Sequence, residues 1–173
     1  MRDPSFTFEA ATTTDVSELV ALHTSVAVEL TRRHGHGPWS CTTSERAMLF
    51  ALRTTRVFVA RRCAEILGTF RLTRKKPWAI DTRNFTSAEN PIYLLAMAVT
   101  PGSQGKGIGR ACLEEAERLV RAWPGDAIRL DAFDAEAGAG GFYARCGYAE
   151  VGRVSYRNTP LIYYERLLEG KTH

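Results

Sequence analysis

The chain has 173 residues, 45% of them hydrophobic, a formal charge of +4 and a pI near 9.0, which suits one domain over residues 1–173, since domains commonly hold roughly 100–200 residues. No apolar run approaches the roughly 18 residues of a membrane span, and MRDPSFTFEA carries acidic and proline residues where a signal peptide has an apolar core, so a soluble cytoplasmic protein is expected. Cys41, Cys63, Cys112 and Cys146 are scattered without a CxxC pair, which suggests neither a disulfide framework nor a zinc ribbon, while the positive charge favours an anionic partner without choosing between nucleic acid and a phosphate-bearing cofactor.

In chain order, FTFEAA alternates as a first strand. TTTDVSELVALHTSVAVEL follows, with Val16, Leu19, Val20, Val26 and Leu30 at helical spacing and Thr14 or Asp15 as its cap. RRHGHGPWSCTT reads as a loop, and SERAMLFAL as a short second helix opened by Ser44. RVFVARR and EILGTFRL form a predicted hairpin around Cys63 and Ala64. TRKKPWAIDTRNFTSAEN is loop-like, whereas IYLLAMAV is continuously apolar and predicts a buried central strand ended by Thr100, Pro101 and Gly102. The next helix sets Leu113, Ala116, Val120 and Trp123 on one stripe, with Glu114–Arg118 and Glu117–Arg121 as outer pairs. AIRLDAF is a strand, AGAGGFYARCG a glycine-diluted helix, and YAEVGRVSY with LIYYERLL a closing hairpin across Arg157 to Pro160.

Between the central strand and its helix lies QGKGIGR, Gln104 to Arg110. Backbone N–H groups of a glycine-rich turn, joined to those of a helix start, make a concave donor surface suited to phosphate oxygens. A dinucleotide fingerprint fails because Gly105, Gly107 and Gly109 do not keep GxGxxG, and a P-loop fails because Ile108 and Gly109 stand where lysine and a hydroxyl are required.

The pattern V-x-P-x-x-Q-G-K-G-I-G-R after an apolar strand resembles the acetyl-CoA-binding motif of the GNAT superfamily of N-acyltransferases, and LDAF followed by FYARCGY is similar to that family's second cofactor segment. The resemblance implies an α/β (α+β) fold, with a mixed sheet of about six or seven strands flanked by about four helices. It also implies acetyl-CoA as cosubstrate. Backbone groups of Met97, Ala98 and Val99 would meet the pantetheine arm, and Gln104, Gly105, Lys106, Gly107, Ile108, Gly109 and Arg110 would wrap the pyrophosphate. Tyr143 matches the family tyrosine that protonates the departing thiolate, and Asp131 the position where some members carry an acidic base. Such a base needs a raised pKa or a water relay to serve an alkyl amine; the alternatives are an aspartate bound to a neighbouring arginine such as Arg129 or to backbone, and a tyrosine that only packs.

The chain departs from the family where Glu136 replaces a frequent asparagine and where YLLAMAV lacks a glutamate. His34, His36 and Cys41 lack the spacing of a metal site, so no metal is expected. Arg71, Arg74, Lys75 and Lys76 lack the aromatic interleaving of RNA binders and are expected to be a solvated surface. Trp39, Trp78 and Tyr156, with His36, Cys41, Asp81, Tyr163 and Tyr164, are expected to line an aromatic acceptor pocket or else to close the core. The expected activity is acetyl transfer to a primary amine, of a small molecule first and a protein as alternative, by a monomer or homodimer with no nucleic-acid or membrane partner. The competing class is a non-catalytic acyl-CoA sensor.

Overall fold

A computed structural model describes residues 5–168; Asp3 and Pro4, used in the leader argument above, lie outside them. Seven strands form one mixed sheet, β1 (Thr7–Ala10), β2 (Arg56–Arg62), β3 (Glu65–Thr73), β4 (Pro91–Val99), β5 (Ala127–Phe133), β6 (Ala149–Tyr156) and β7 (Thr159–Leu167), in the order β1-β2-β3-β4-β5-β7-β6. Four α-helices accompany them: α1 (Val16–His34), α2 (Glu45–Thr54), α3 (Ile108–Ala122) and α4 (Gly140–Arg145). The chain divides into two compact units. One holds the described residues up to Leu72 with Leu95–Glu115; the other holds Thr73–Leu94 and the described residues from Ala116.

In the first unit, α1 and α2 bury Val16, Leu19, Leu22, Met48 and Ala51 against Val57, Val59, Ile66 and Ala98. Apolar residues three and four apart give each helix one such stripe. Ser44 caps α2, its hydroxyl accepting from the Ala47 N–H at 3.1 Å. The start of α1 differs from expectation. A 3-10 turn over Thr13–Asp15 precedes it, and the Asp15 carboxylate reaches back to the Thr12 N–H at 2.8 Å, closing a capping box at Thr12. Asp15 also accepts from Arg61 at 2.6 Å, and Arg61 bonds Glu9, so one guanidinium ties β1, β2 and the entrance to α1. The helix runs past Leu30 to His34, where Gly35 takes a φ of 76°.

The second unit centres on Ile80, Phe85, Tyr93 and Tyr163, with the Phe85 and Tyr163 rings stacked at 5.2 Å. Buried Glu165 accepts from the Thr86 N–H at 3.2 Å and from its hydroxyl, while buried Arg129 donates to the Thr86 carbonyl at 2.6 Å and lies over Phe85. These bonds fix the loop before β4. The closing turn is tighter than predicted: β6 and β7 join through Arg157 and Asn158, with φ values of 49° and 63°, the positive pair that matches strand twist in a two-residue hairpin. Trp123 is half-buried just past the end of α3, and Glu117, expected outside, is mostly buried with Arg121 and Arg166 both at 3.5 Å.

Strand β4 departs from a uniformly buried central strand. Ile92, Tyr93, Leu94 and Ala98 are buried, but Ala96 is exposed with a φ of 48°. Its ladder to parallel β5 covers Pro91 to Tyr93 against Ala127 to Arg129.

Two stability predictions follow from caps and φ. Ser44→Ala should lower unfolding free energy by about 1 kcal/mol, read from urea midpoints at unchanged slope. Ala96→Val should cost about 1–3 kcal/mol because a β-branched side chain disfavours the left-handed region, whereas Ala96→Gly should cost nothing; equal losses in both would place the effect outside backbone strain.

Candidate active site

In the first unit, Met97, Ala98 and Val99 end β4, and the Thr100 N–H bonds the Leu67 carbonyl at 2.9 Å, anchoring the strand's exit to β3. A 3-10 turn over Pro101–Ser103 leads to Gln104, whose side-chain amide donates to the Val99 carbonyl at 3.1 Å and braces the loop. Gly105 and Gly107 take φ values of 74° and 81°, with open space where a Cβ would stand. Backbone conformation, rather than crowding, therefore explains these two glycines. Gly109 differs from the expected third flexible residue: it already lies in α3. The Ala111 N–H closes the first helical bond on the Gly107 carbonyl at 3.0 Å, so the N–H groups just before it stand at a helix start with exposed Lys106 beside them. Ile108 is buried, and Gly68 admits it: a Cβ on Gly68 would stand 3.2 Å from the Ile108 methyl and 3.4 Å from the Cys112 sulfur. Burial and Glu115 push the Cys112 thiol up to about 12, so it acts as packing rather than as a nucleophile.

In the second unit, Asp131 and Tyr163 are direct partners across β5 and β7. Burial raises the Asp131 pKa from its ordinary value, and a backbone hydrogen bond opposes the rise in part. The alternative pairing with Arg129 is not made, because Arg129 is turned to Thr86 and Phe85. Tyr143 on α4 is 7% exposed and packs among Phe142, Tyr148 and Tyr164, with ring centroids 5.4, 6.0 and 5.9 Å away. Glu136 is exposed in the turn before α4.

The expected acceptor residues have distinct surroundings. Trp39 donates from its indole to the Gly35 carbonyl at 2.9 Å and lies over Gly37, so it folds its own loop. Trp78 is 85% exposed, and Tyr156 has the Arg157 guanidinium 5.3 Å from its ring centre. Tyr163 is buried, its hydroxyl donating to the Ala79 carbonyl and accepting from the Asp81 N–H at 3.0 Å; Asp81 pairs with Arg83, which holds its carboxyl down near 2. Among the described residues no group of three or more His, Cys, Asp or Glu side chains is placed to hold a metal ion.

A family profile described as "Acetyltransferase (GNAT) family" matches residues 24–148, spanning β4, the glycine loop, α3 and α4. The chain belongs to the GNAT acetyltransferase family. Solved structures agree in fold. An N-acetyltransferase from Staphylococcus aureus Mu50 superposes with a TM-score of 0.69 at 15% identity, covering 95% of this chain and 99% of that one. A ribosomal-protein-alanine N-acetyltransferase from Brucella melitensis gives 0.71 at 18%, covering 94% and 99%. YncA, a putative acetyltransferase from Salmonella typhimurium solved with its cofactor acetyl-CoA, gives 0.68 at 16%, covering 98% and 97%. No curated protein sequence matches the chain.

Two polar groups of this GNAT chain were hidden in the sequence. His23 lies on the inner side of α1, four residues from buried Leu19 and four from buried Ala27, and Arg71 lies on β3 opposite Val57. Arg71 was expected in a solvated basic run, but it is half-buried, and burial lowers its pKa. The available signal was period two: Thr69 and Arg71 alternate with Gly68 and Phe70. For His23 it was the i,i+4 stripe.

Burial, with the Arg71 charge added, lowers the His23 pKa to about 4 from 6.5. The unfolded chain thus binds more protons between those values, so stability present above pH 6.5 is lost as pH falls toward 4, about 3 kcal/mol in all. His23→Leu should flatten urea-unfolding midpoints across that window; an unchanged slope would assign the proton uptake to another group.

Proposed function

We propose that the chain transfers the acetyl group of acetyl-CoA to a primary amine of a small molecule, by direct attack in a ternary complex. The observation that carries this reading is the run from Ala96 to Arg110. A strand that turns left-handed at Ala96 continues into two left-handed glycines and the first turn of a long helix. Backbone groups of Met97, Ala98 and Val99 would hold the pantetheine arm, and the N–H groups of Gln104 to Arg110 the pyrophosphate, where a helix start favours anions. The bound cosubstrate supplies the activated acyl group as a thioester.

The protein's own groups divide the remaining work. A main-chain N–H near Met97 to Val99 would meet the developing oxyanion. Asp131, with its raised pKa, accepts the amine proton directly or through water, and Tyr143 supplies a proton to the departing sulfur. Trp39, Trp78 and Tyr156 are proposed for the acceptor body, and the reduced cytoplasm as compartment, consistent with four free cysteines. A protein acceptor is the second reading, motivated by the name of the Brucella melitensis neighbour.

Three outcomes test the proposal. CoA at a hundredfold excess over its dissociation constant should stabilise the fold by about 2.7 kcal/mol, and Gly107→Val should abolish that shift while remaining folded; unchanged affinity would remove the loop from the site. Tyr143→Phe should slow turnover about 10- to 1000-fold with little change in cofactor affinity, and wild-type turnover with chemistry rate-limiting would reduce Tyr143 to packing. Free-thiol release from acetyl-CoA across an amine panel tests the activity itself. Silence with small amines but acetylation of a protein would favour the second reading, and silence throughout despite tight CoA binding would favour a sensor.

A further inference from the structure

Arg71 is a half-buried cation. Its Nε is buried with no hydrogen-bond partner, and among the described residues no hydrogen bond, ion pair or ring contact reaches its guanidinium. Arg129 also has a buried unpartnered Nε, but its other end donates to Thr86 and it lies on Phe85. Holding a guanidinium away from water with no anion beside it is costly. Partial exposure leaves a ligand a way to reach it.

Its place in the first unit narrows what that ligand is. Along β3, Gly68 and Phe70 share the face where a Cβ on Gly68 would meet Ile108 and Cys112 of α3, and Phe70 stacks on Phe58. Thr69 and Arg71 point to the other face, beside Val59 and Val57, which pack with α1 and α2. Arg71 is therefore turned away from the helix that follows the glycine loop, and its charge is not available to the phosphates held there. On its own face the neighbouring polar group is His23, neutral because burial and the Arg71 charge both oppose its protonation, while Thr69 is already engaged with the Phe58 carbonyl at 2.8 Å. One full positive charge in a planar fork, with one neutral imidazole, matches a carboxylate better than a doubly charged phosphate.

We propose that Arg71, assisted by His23, receives a carboxylate of the acceptor, so that the acceptor is an amino acid or another amine that carries an acid group. The substrate class rests on the acetyl-transfer reading above, and the test separates the two. Matched probes are L-methionine and L-methioninamide, L-phenylalanine and L-phenylalaninamide, and 4-aminobutyrate and 4-aminobutyramide, given to the full chain with acetyl-CoA and followed by free-thiol release. The expected result is a kcat/KM about 10- to 100-fold higher for an acid than for its amide in at least one pair, the range of a charge-assisted bidentate contact. For the α-amino probes the amide's amine is the less basic one, so intrinsic reactivity runs against that preference. Arg71→Gln should cut the acid-to-amide ratio about tenfold or more, and Arg71→Lys should restore part of it, with the CoA-induced thermal shift retained as the check of folding.

A ratio near one in every pair, or an unchanged ratio in folded Arg71→Gln protein, overturns the carboxylate site and leaves acetyl transfer standing. If Arg71→Gln fails to fold, Arg71→Lys decides, because it keeps the charge and loses the fork; an unchanged ratio there also overturns the site. If no probe releases thiol, acetyl transfer to small amines fails, and melting curves decide for Arg71. Stabilisation by acids but not by amides, removed in Arg71→Gln or Arg71→Lys, supports the site, and its absence overturns it.

Discussion

The proposed function depends on one backbone constraint in β4: Ala96, a small residue, is held in the left-handed region inside an otherwise apolar run. Backbone N–H and C=O groups that no neighbouring strand pairs need other partners, and an extended chemical group that offers hydrogen bonds can take the place of a strand. A residue with φ near 48° turns the local hydrogen-bonding direction, at a cost on the order of 1–2 kcal/mol. The alanine also keeps the position narrow.

The neighbouring elements of the proposed cofactor region hold the loop after β4 in place. Thr100 bonds back to Leu67 and Gln104 back to Val99, so the loop is braced at both ends before the glycines reverse the chain. The glycines then deliver the chain into α3, whose first residue Ile108 is locked against Gly68. Rigid bracing at the ends with freedom at Gly105 and Gly107 is what a preformed anion cradle requires, because N–H groups already aligned lose little entropy when a ligand arrives. The second unit invests differently: Thr86 is held by Glu165 on one side and Arg129 on the other, and Tyr163 ties Ala79 and Asp81. Its loop before β4 is thus built from buried polar bonds rather than from apolar packing alone, which favours one conformation over a slack ensemble.

Much of the secondary structure was legible because local chemistry and tertiary packing agree there. Ser44 caps where its hydroxyl and the following apolar stripe say it should, and the strands either side of Cys63 and Ala64 pair antiparallel as they read. Where the reading slipped, a longer-range interaction won. Asp15 serves Thr12 and Arg61 instead of capping its own helix directly, and Gly109 is helical because Ile108 is already seated in the core. Tyr143 shows why a motif match leaves a role open: the residue fits the family pattern in sequence, and three surrounding rings give its side chain a packing function.

By itself the sequence determined the family and the element order, because an apolar strand, a glycine-rich turn and an amphipathic helix in succession constrain the backbone wherever they occur. It also singled out Gln104 to Arg110 as the stretch suited to a phosphate, since backbone N–H groups of a glycine-rich turn at a helix start form a concave donor surface. Only the tertiary structure decided that the β4–β5 ladder covers Pro91 to Tyr93, that Ala96 takes the left-handed conformation, and that Arg71 is half-buried beside Val57 of β2 instead of standing in a solvated basic run. These depend on which neighbours remain to pair with a strand and which charges are left without a counterion, and both quantities are sums over residues far apart in the chain. A linear pattern reports what a segment prefers; burial and pairing report what its surroundings leave unsatisfied.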